Sequence, residues 1–236
     1  PYKSSGLGQL ITEVKTSGNY GVADFSSYAP SNGAPASFIA QPFYKAGQLE
    51  VIVALQLPLE GINSIMKLRD GMGESGESYL VGQDLKMRSD SFLDPIHHTV
   101  TASFANASGQ GLVETDATRR ALQGESGLDI ITDYNGNSVL SAFMPVKIGN
   151  FTWALISEID ESEAFAAINQ LRTFALVLLV MSIVAIIFFA LWFARSITRL
   201  IGGEPKHISL LTNEIASGNL QVEFTYTGKE AGVYLA

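Results

Sequence analysis

A run of twenty residues without a charge, Phe174 to Phe193, limits what this chain can fold into more than any other feature. A helix of that length rises about 1.5 Å per residue and covers the roughly 30 Å hydrocarbon core of a bilayer. One serine is its only polar side chain, and buried helices of soluble proteins seldom run so far on such a composition. The run also lies too far from the N-terminus to be a cleaved signal peptide. It therefore predicts a transmembrane helix, to which we assign residues 166–194.

Charged residues are divided unequally by this helix. Residues 1–170 hold 10 Lys/Arg and 19 Asp/Glu, a net of −9, and residues 171–236 hold 5 and 4, a net of +1, which together give the −8 of the chain. Because Arg195 and Arg199 closely follow the helix, the positive-inside rule places residues 195–236 in the cytoplasm and residues 1–165 outside it. An acidic exterior argues against nucleic acid as a partner.

The chain has no cysteine. The outer region is therefore expected to fold on its core alone, without disulfides or a thiolate metal site. The first and last stretches, PYKSSGLGQL and GKEAGVYLA, do not resemble natural termini. We therefore expect the chain to be a fragment of a longer protein.

The glycines of GMGESG, from Gly71 to Gly76, match the G-x-G-x-x-G spacing of a dinucleotide-binding turn. That turn needs a strand before the glycines and a helix after them, so that the helix N-terminus faces the pyrophosphate. Here the order is reversed, because LEGINSIMKLRD has helical periodicity and ESYLVG is rich in strand-forming residues. The glycines therefore predict a structural turn, which is followed by a hairpin around Gly82.

Two parts of the outer region share a pattern. GVADFSSYAP and the apolar segment after it correspond to GLDIITDYNG and its following segment, with Tyr28 matching Tyr134. Each copy then has a long apolar strand, 49–57 or 151–159, and an acidic helix start. We interpret the pattern as a duplicated unit of three antiparallel strands followed by a helix. A helix over 114–123 and the glycine hairpin would precede the second copy and complete a five-stranded unit.

These tandem units resemble the double Cache sensor domain of bacterial receptors, two PAS-like subdomains stacked above the membrane. The resemblance covers roughly residues 1–165 and lies in a combination of phrases: PYKSSGLGQ, DFSSYAPSNGAPASFIAQP, ALQLPLEGIN, GESGESYLVGQDLKMRSDS, and LQGESG with DYNGNSVLSAFMPV. It implies an α+β fold with antiparallel sheets. Residues 1–65 would then be a partial membrane-distal subdomain and residues 66–165 a membrane-proximal one, in a module that binds a small molecule.

The sequence after the apolar run resembles a HAMP linker, a parallel helical bundle formed by two chains. Ile208, Leu211 and Ile215 form a narrow apolar seam, and IASGNL matches the end of the first HAMP helix. TGKEAGVYLA would open the second helix, with Glu230 in its acidic position. The sequence departs from the pattern where Leu200 stands near the place of the usual proline and where GGEP adds about one turn. We assign residues 195–236 to a partial HAMP linker and expect a homodimer.

Taken together, the resemblances imply a methyl-accepting chemotaxis protein of a bacterial inner (cell) membrane. Such a chemoreceptor senses an extracytoplasmic small molecule and relays the signal through the HAMP linker to cytoplasmic signalling partners. Two alternatives stay open: a sensor histidine kinase or nucleotide cyclase with the same input domain, and a solute-binding membrane protein without signalling output. We expect no enzymatic activity and no cofactor.

His97 and His98 are candidates for a metal site, with Asp94 as an additional ligand. Adjacent side chains on a strand point apart, and the one further histidine, His207, lies across the predicted membrane. We therefore expect a solvated loop at this place and no metal.

Single polar side chains on otherwise apolar strands are typical of small-molecule sites. The resemblance places such a site in the membrane-distal subdomain, and in amino-acid-binding members an aspartate on the last strand binds the ligand amine. Gln56 stands near that place here, so the expected ligand is a small polar metabolite of open identity. Arg88 and Asp90 are assigned a structural role. The candidate ligand-binding residues are Asp24, Tyr28, Gln41 and Gln56.

Overall fold

The computed structural model describes residues 3–105, 111–201, 205–218 and 221. The chain divides into two compact units, residues 1–166 and residues 167–236. The described helices and strands are, in chain order, α1 (Gly6–Ser17), β1 (Gly21–Ser27), a 3-10 turn (Ala29–Ser31), β2 (Pro35–Lys45), β3 (Gln48–Leu57), α2 (Leu59–Met66), β4 (Glu77–Val81), α3 (Val100–Ala105), α4 (Asp116–Leu122), β5 (Gly127–Thr132), β6 (Ser138–Ile148), β7 (Phe151–Asp160), α5 (Glu161–Ala164), α6 (Ala166–Ile201) and α7 (Pro205–Ala216).

Strands β1, β2 and β3 form an antiparallel sheet in that order, which we name the first sheet. Helix α1 covers one of its faces, where Leu10 and Val14 form a cluster with Ala36, Phe38 and Ala40. Strand β2 presents these three residues on one face because side chains two apart on a strand point the same way.

Strands β4 to β7 form a second antiparallel sheet, in the order β4-β7-β6-β5, which we name the second sheet. Helix α4 contacts three of its strands, and its Ala117 and Ala121 belong to the main core. That core also contains Tyr79, Phe143 and Trp153.

The prediction of a five-stranded second unit is wrong, because in the described residues the second sheet has four strands. The chain does turn back after Gly82, but the returning segment makes only the isolated bridge Val81–Met87 with β4. Leu85 has a left-handed φ of 61° in this turn. Beyond this bridge, the Ser89 hydroxyl accepts a hydrogen bond from the Leu80 N–H, which would bind a backbone carbonyl in a continuous β-ladder. A side chain therefore ends the pairing before a fifth strand forms.

The duplicated order of three strands and a helix is present in both sheets, as β1–β3 with α2 and as β5–β7 with α5. The predicted α+β architecture with antiparallel sheets is thus confirmed. The glycine-rich segment lies between α2 and β4, and Gly71 and Gly73 have positive φ values of 81° and 69°. It is a turn between a helix and a strand, as the order of the elements predicted.

Helix α6 is the main element of the second unit. Residues Ala166–Ile197 within it are long and apolar enough to cross a membrane, with a mean hydropathy of 3.1 and none of the apolar window buried. A break at Phe165 separates α6 from the short helix α5.

Helix α7 contains the predicted seam positions 208, 211 and 215, and Ile215 is partly exposed. The predicted break after it is present, because Gly218 has a φ of 93° and its N–H bonds the Ile215 carbonyl. The predicted second HAMP helix with Glu230 lies outside the described residues.

Candidate ligand-binding site

Two of the predicted residues, Tyr28 and Gln56, lie on the α1-covered face of the first sheet. Gln56 on β3 stands directly opposite Phe38 on β2, and directly opposed residues of antiparallel strands point to the same face. Tyr28, which follows β1, packs edge-on against the Phe38 ring with centroids 4.9 Å apart. Tyr28 is half-buried and Gln56 is exposed. The two polar side chains therefore lie on either side of one buried ring.

The other two predicted residues lie away from that face. Gln41 follows Ala40 on β2, stands opposite Val53, and is exposed. Its amide donates to the Pro42 carbonyl at 3.3 Å. Asp24 lies at the irregularity in β1 between Ala23 and Ser26, and its side chain contacts residues of the second sheet. The structure therefore brings Tyr28 and Gln56 together and places Gln41 and Asp24 at two other positions.

The Asp24 carboxylate joins the two sheets. It accepts from Arg88 Nε and Nη2, both at 2.8 Å, and from Trp153 Nε1 at 3.0 Å. Its own neighbour Phe25 supplies a backbone N–H at 2.7 Å. Oδ1 accepts three of these hydrogen bonds and Oδ2 accepts one, so Oδ1 has no room for a further donor. We name Asp24, Arg88 and Trp153 the inter-sheet clamp.

Arg88 was assigned a structural role from the sequence, and the contacts agree, although the sequence did not indicate its partner. Its side chain is only 3% exposed and also pairs with Asp84 at 2.9 Å. Asp90 instead accepts from the Asn63 side chain and from the Val100 N–H, at 2.7 and 2.9 Å. No local sequence signal links Asp24 to Arg88, because they are 64 positions apart.

A second group of buried polar side chains lies in the second sheet, and sequence reasoning missed it. Glu77 and Glu158 are 2% and 4% exposed and stand directly opposite each other on β4 and β7. Tyr79 donates to Glu158 at 2.8 Å, and Tyr134 donates to Glu77. The one available signal was the alternation in ESYLV, which puts Glu77 on the same side of β4 as Tyr79 and Val81.

The ionisation of these groups follows from their surroundings. Burial raises the pKa of Glu158 to about 7, against opposing hydrogen bonds from Tyr79 and Ser141. Burial and the nearby Glu158 carboxylate raise the pKa of Tyr79 far above its ordinary value. Burial, with the Glu77 charge, also raises the pKa of Tyr134. Both phenols therefore stay protonated and act as hydrogen-bond donors.

The expected solvated loop at His97 and His98 is correct for one histidine and wrong for the other. The side chain of His97 is 64% exposed, whereas His98 is buried against Tyr134, with ring centroids 4.1 Å apart. His98 Nδ1 lies 2.7 Å from Asp94 Oδ2. Burial opposes ionisation of Asp94, but the His97 N–H and the His98 ring outweigh it and lower its pKa to about 2. Within the described ranges, no group of three metal-binding side chains is found.

An open groove of about 560 Å³ lies along the outer side of α1. Exposed polar residues of that helix line it, among them Gln9, Glu13 and Thr16. Because Leu10 and Val14 occupy the opposite, sheet-facing side, the groove does not include any of the predicted ligand-binding residues.

No family model and no curated protein matches the chain. Among solved structures, it is similar to the ligand-binding domain of the Pseudomonas fluorescens chemoreceptor CtaA in complex with L-isoleucine, at 18% identity and a TM-score of 0.44. It is also similar to the ligand-binding domain of the Pseudomonas aeruginosa amino acid chemoreceptor PctB in complex with L-Arg, at 22% identity and a TM-score of 0.43. A third similar structure is the periplasmic sensory domain of the Campylobacter jejuni chemoreceptor Tlp1, at 12% identity and a TM-score of 0.47. The matches cover 70%, 69% and 66% of this chain but only 61%, 58% and 56% of those domains.

Proposed function

We propose that this chain is the sensory part of a bacterial transmembrane chemoreceptor of the methyl-accepting type, with a double Cache input. Residues 1–165 lie outside the cytoplasm and bind a small polar metabolite. Helix α6 crosses the inner membrane, and residues 195–236 begin a HAMP linker that relays the signal to cytoplasmic partners. Two chains form the active dimer.

The observation that supports this proposal is helix α6. Its large apolar side chains are exposed on all sides of the helix, from Phe174 at 62% to Phe193 at 61%. Such a surface is unfavourable in water, and a bilayer supplies the apolar surroundings that it needs. The charge asymmetry on either side of the helix then sets the orientation.

Reporter fusions test the orientation directly. Gly149 lies in the turn between β6 and β7, and Gly218 lies just after α7. Alkaline phosphatase, which folds outside the cytoplasm, should be active when fused at Gly149 and inactive at Gly218. Green fluorescent protein should give the reverse. Identical readings at both positions would refute the receptor topology.

For the ligand, we propose a site on the first sheet beside Tyr28 and Gln56. Tyr28 is half-buried and Gln56 is exposed, so both polar groups are open to water in the absence of a ligand. A ligand that covers them must replace these hydrogen bonds, since a buried polar group left unpaired costs about 1–3 kcal/mol, and this requirement favours a polar ligand. Asp24 then contributes indirectly, by holding β1 against the second sheet. Gln41, on the other face, would mark a site on that side instead.

Binding can be measured on the full-length protein in nanodiscs, with a panel of free amino acids and small carboxylates in a thermal-shift assay. A ligand present at 100 times its dissociation constant stabilises the protein by about 2.7 kcal/mol. Tyr28→Phe and Gln56→Leu should weaken that stabilisation. The matched control is Tyr134→Phe, at the equivalent place in the second copy, which should leave the affinity unchanged. Loss of binding in Gln41→Leu alone would move the site to the other face, and loss in Tyr134→Phe alone would move it to the second sheet.

The alternatives differ in the sequence expected after residue 236. A chemoreceptor continues into a long charged helical hairpin, a sensor kinase or cyclase into a catalytic domain, and a solute-binding protein into neither. Sequencing the gene beyond that codon separates them. A linker that resembles HAMP favours a signalling protein, because binding alone needs no helical relay.

A further inference from the structure

The two glutamates of the second sheet form a buried pair of acids, which we name the acid pair. Glu77 and Glu158 are direct cross-strand neighbours, so their side chains occupy the same buried face. Like charges directly opposite each other destabilise a strand pair, and removal from water strengthens the effect. Two ionised carboxylates at this place therefore require a compensating cation or a proton.

In the described residues, no hydrogen bond or ion pair joins an arginine, lysine or histidine to Glu77 or Glu158. Arg69 lies beside Gly76 but donates to the backbone carbonyls of Gly76, Gly73 and Glu74. Arg88 pairs with Asp24 and Asp84, on the inter-sheet clamp. Arg119 pairs with Glu114, and Arg120 pairs with Asp116, Glu125 and Asp129, and all four carboxylates are exposed. Helix α4 turns Ala117, Thr118 and Ala121 inwards instead. A proton is thus the compensating charge that the surroundings allow.

The hydrogen bonds decide which glutamate takes the proton. Glu77 Oε2 accepts from the backbone N–H groups of Phe92 and Leu93, at 2.9 and 3.2 Å. A backbone N–H can only donate, so these bonds occupy the lone pairs of Oε2 and leave no room for a proton on that oxygen. The hydroxyls of Tyr134 and Ser91 also bind Glu77. The hydrogen-bond partners found for Glu158 in the described residues are hydroxyls alone, those of Tyr79 and Ser141, each at 2.8 Å. A hydroxyl can donate or accept, so this site can accommodate either form of Glu158.

Several other titratable or polar groups are packed around the pair. On the segment after β4, Asp94 and His98 pair with each other, and the His98 ring contacts Tyr134. On α5, Glu161 accepts from Ser138, and Glu163 accepts from the backbone of Glu74 and Ser75. Asp133, in the turn after β5, binds the backbone N–H groups of residues 135 and 137 and adds a further negative charge near Glu158.

We propose that Glu158 is a reversible proton-binding site of this unit, with Glu77 as the second acid of the pair beside it. Burial agrees with this assignment, since it raises the pKa of Glu158 to about 7. At that value, ordinary changes of external pH would change the occupancy of the site. The assignment of the proton site depends on the geometry of the acid pair. Its role as a second input of a receptor, beside the metabolite, rests on the proposed function.

The acid pair lies where the sheet meets α5. Two residues beyond Glu158, the Asp160 N–H donates to Ser75 Oγ at 3.0 Å. The same Ser75 hydroxyl donates to Glu163 of α5. Loss of the proton would place two negative charges between β4 and β7, immediately before this contact. Deprotonation is therefore expected to loosen the end of the sheet from which α5 begins.

The direct test is the titration of Glu158 in the full-length protein in nanodiscs. Glutamate labelled with carbon-13 at its carboxyl is followed by NMR from about pH 4 to about pH 9, a range that includes both the ordinary and a raised pKa of a glutamate carboxyl. One signal should titrate with a midpoint at about 7. That signal should disappear in Glu158→Gln and persist in the matched control Glu161→Gln. A midpoint below about 5 for the Glu158 signal, close to that of an ordinary glutamate, would overturn the proposal.

A second measurement keeps the test decisive if the signal is too broad to follow. Hydrogen-exchange protection of the β4 and β7 amides is compared with that of Glu158→Gln at each pH. If Glu158 holds its proton only in the closed sheet, wild-type protection should fall about tenfold per pH unit up to the midpoint and then level off. The variant should show no such fall. Coinciding profiles would exclude proton binding at Glu158. Binding of the metabolite is not measured in either experiment, so neither outcome depends on the ligand site.

Discussion

Asp24→Asn should destabilise residues 1–166 far more than the small change in the side chain suggests. The substitution keeps the shape of the side chain but removes its charge and turns an amide N–H₂ towards the guanidinium of Arg88. That guanidinium donates to both carboxylate oxygens at 2.8 Å, and its side chain is 3% exposed. The variant therefore leaves a buried cation without its principal partner.

The magnitude follows from the contacts that remain. Removal of one member of a buried ion pair costs about 3–5 kcal/mol. Asp84 still contacts Arg88 Nη2 at 2.9 Å, and the Lys86 carbonyl still accepts from Nη1 at 3.0 Å. Asp24 is also 26% exposed, so water can partly replace it. We therefore expect about 3 kcal/mol, the low end of this range.

Asp84→Asn is the matched control, because it makes the same change on the same guanidinium. Asp84 is 42% exposed, and such surface pairs contribute about 0–1 kcal/mol. For a unit of about this size, 1 kcal/mol shifts the melting temperature by about 2–4 °C, so Asp24→Asn should lower it by roughly 6–12 °C. The assay is thermal unfolding of the full-length protein in nanodiscs.

A double substitution tests the same clamp. Adding Arg88→Met to Asp24→Asn should destabilise less than the sum of the single changes, because the unpaired cation is then absent. Equal melting temperatures for Asp24→Asn and Asp84→Asn would refute the claim that the clamp is a buried pair that holds the two sheets together.

Three further predictions concern stability and activity. The folded-state pKa of Glu158, about 7, lies above its ordinary 4.5, so the folded state binds the proton more tightly. The free energy of unfolding should be constant below pH 4.5, fall by about 3 kcal/mol as the pH rises to about 7, and level off above that value. Glu158→Gln should remove this pH dependence when unfolding is measured at several pH values. Gly82→Ala should lower the melting temperature, because its Cβ would lie 2.2 Å from Arg88 Cζ, whereas Gly61→Ala, on α2 with its closest atom at 3.5 Å, should not. Purified residues 1–236 should turn over no nucleotide, and turnover that is lost on a point mutation within the chain would contradict this expectation.

The sequence by itself determined the elements of this protein. The uncharged run from Phe174 to Phe193 required a long apolar helix, and the period-2 strands with turns between them required antiparallel sheets. Strand bounds such as 49–57 and 151–159 differ from the observed ones by one residue. These features depend on residues that are close together in the chain, where side-chain periodicity and backbone preference act directly.

The tertiary structure alone decided which polar groups meet. Asp24 and Arg88 are 64 positions apart, and Glu77 and Glu158, at positions 77 and 158, become neighbours only through the register of β4 with β7. The same packing buried His98 while leaving His97 exposed, and it directed Asp24 to the second sheet, away from Tyr28. The sequence neighbours of a residue are the same whichever distant strand that residue faces in the fold. Burial, pairing and ionisation are therefore set by the register and stacking of the sheets, because these contacts exist only after distant segments have been brought together.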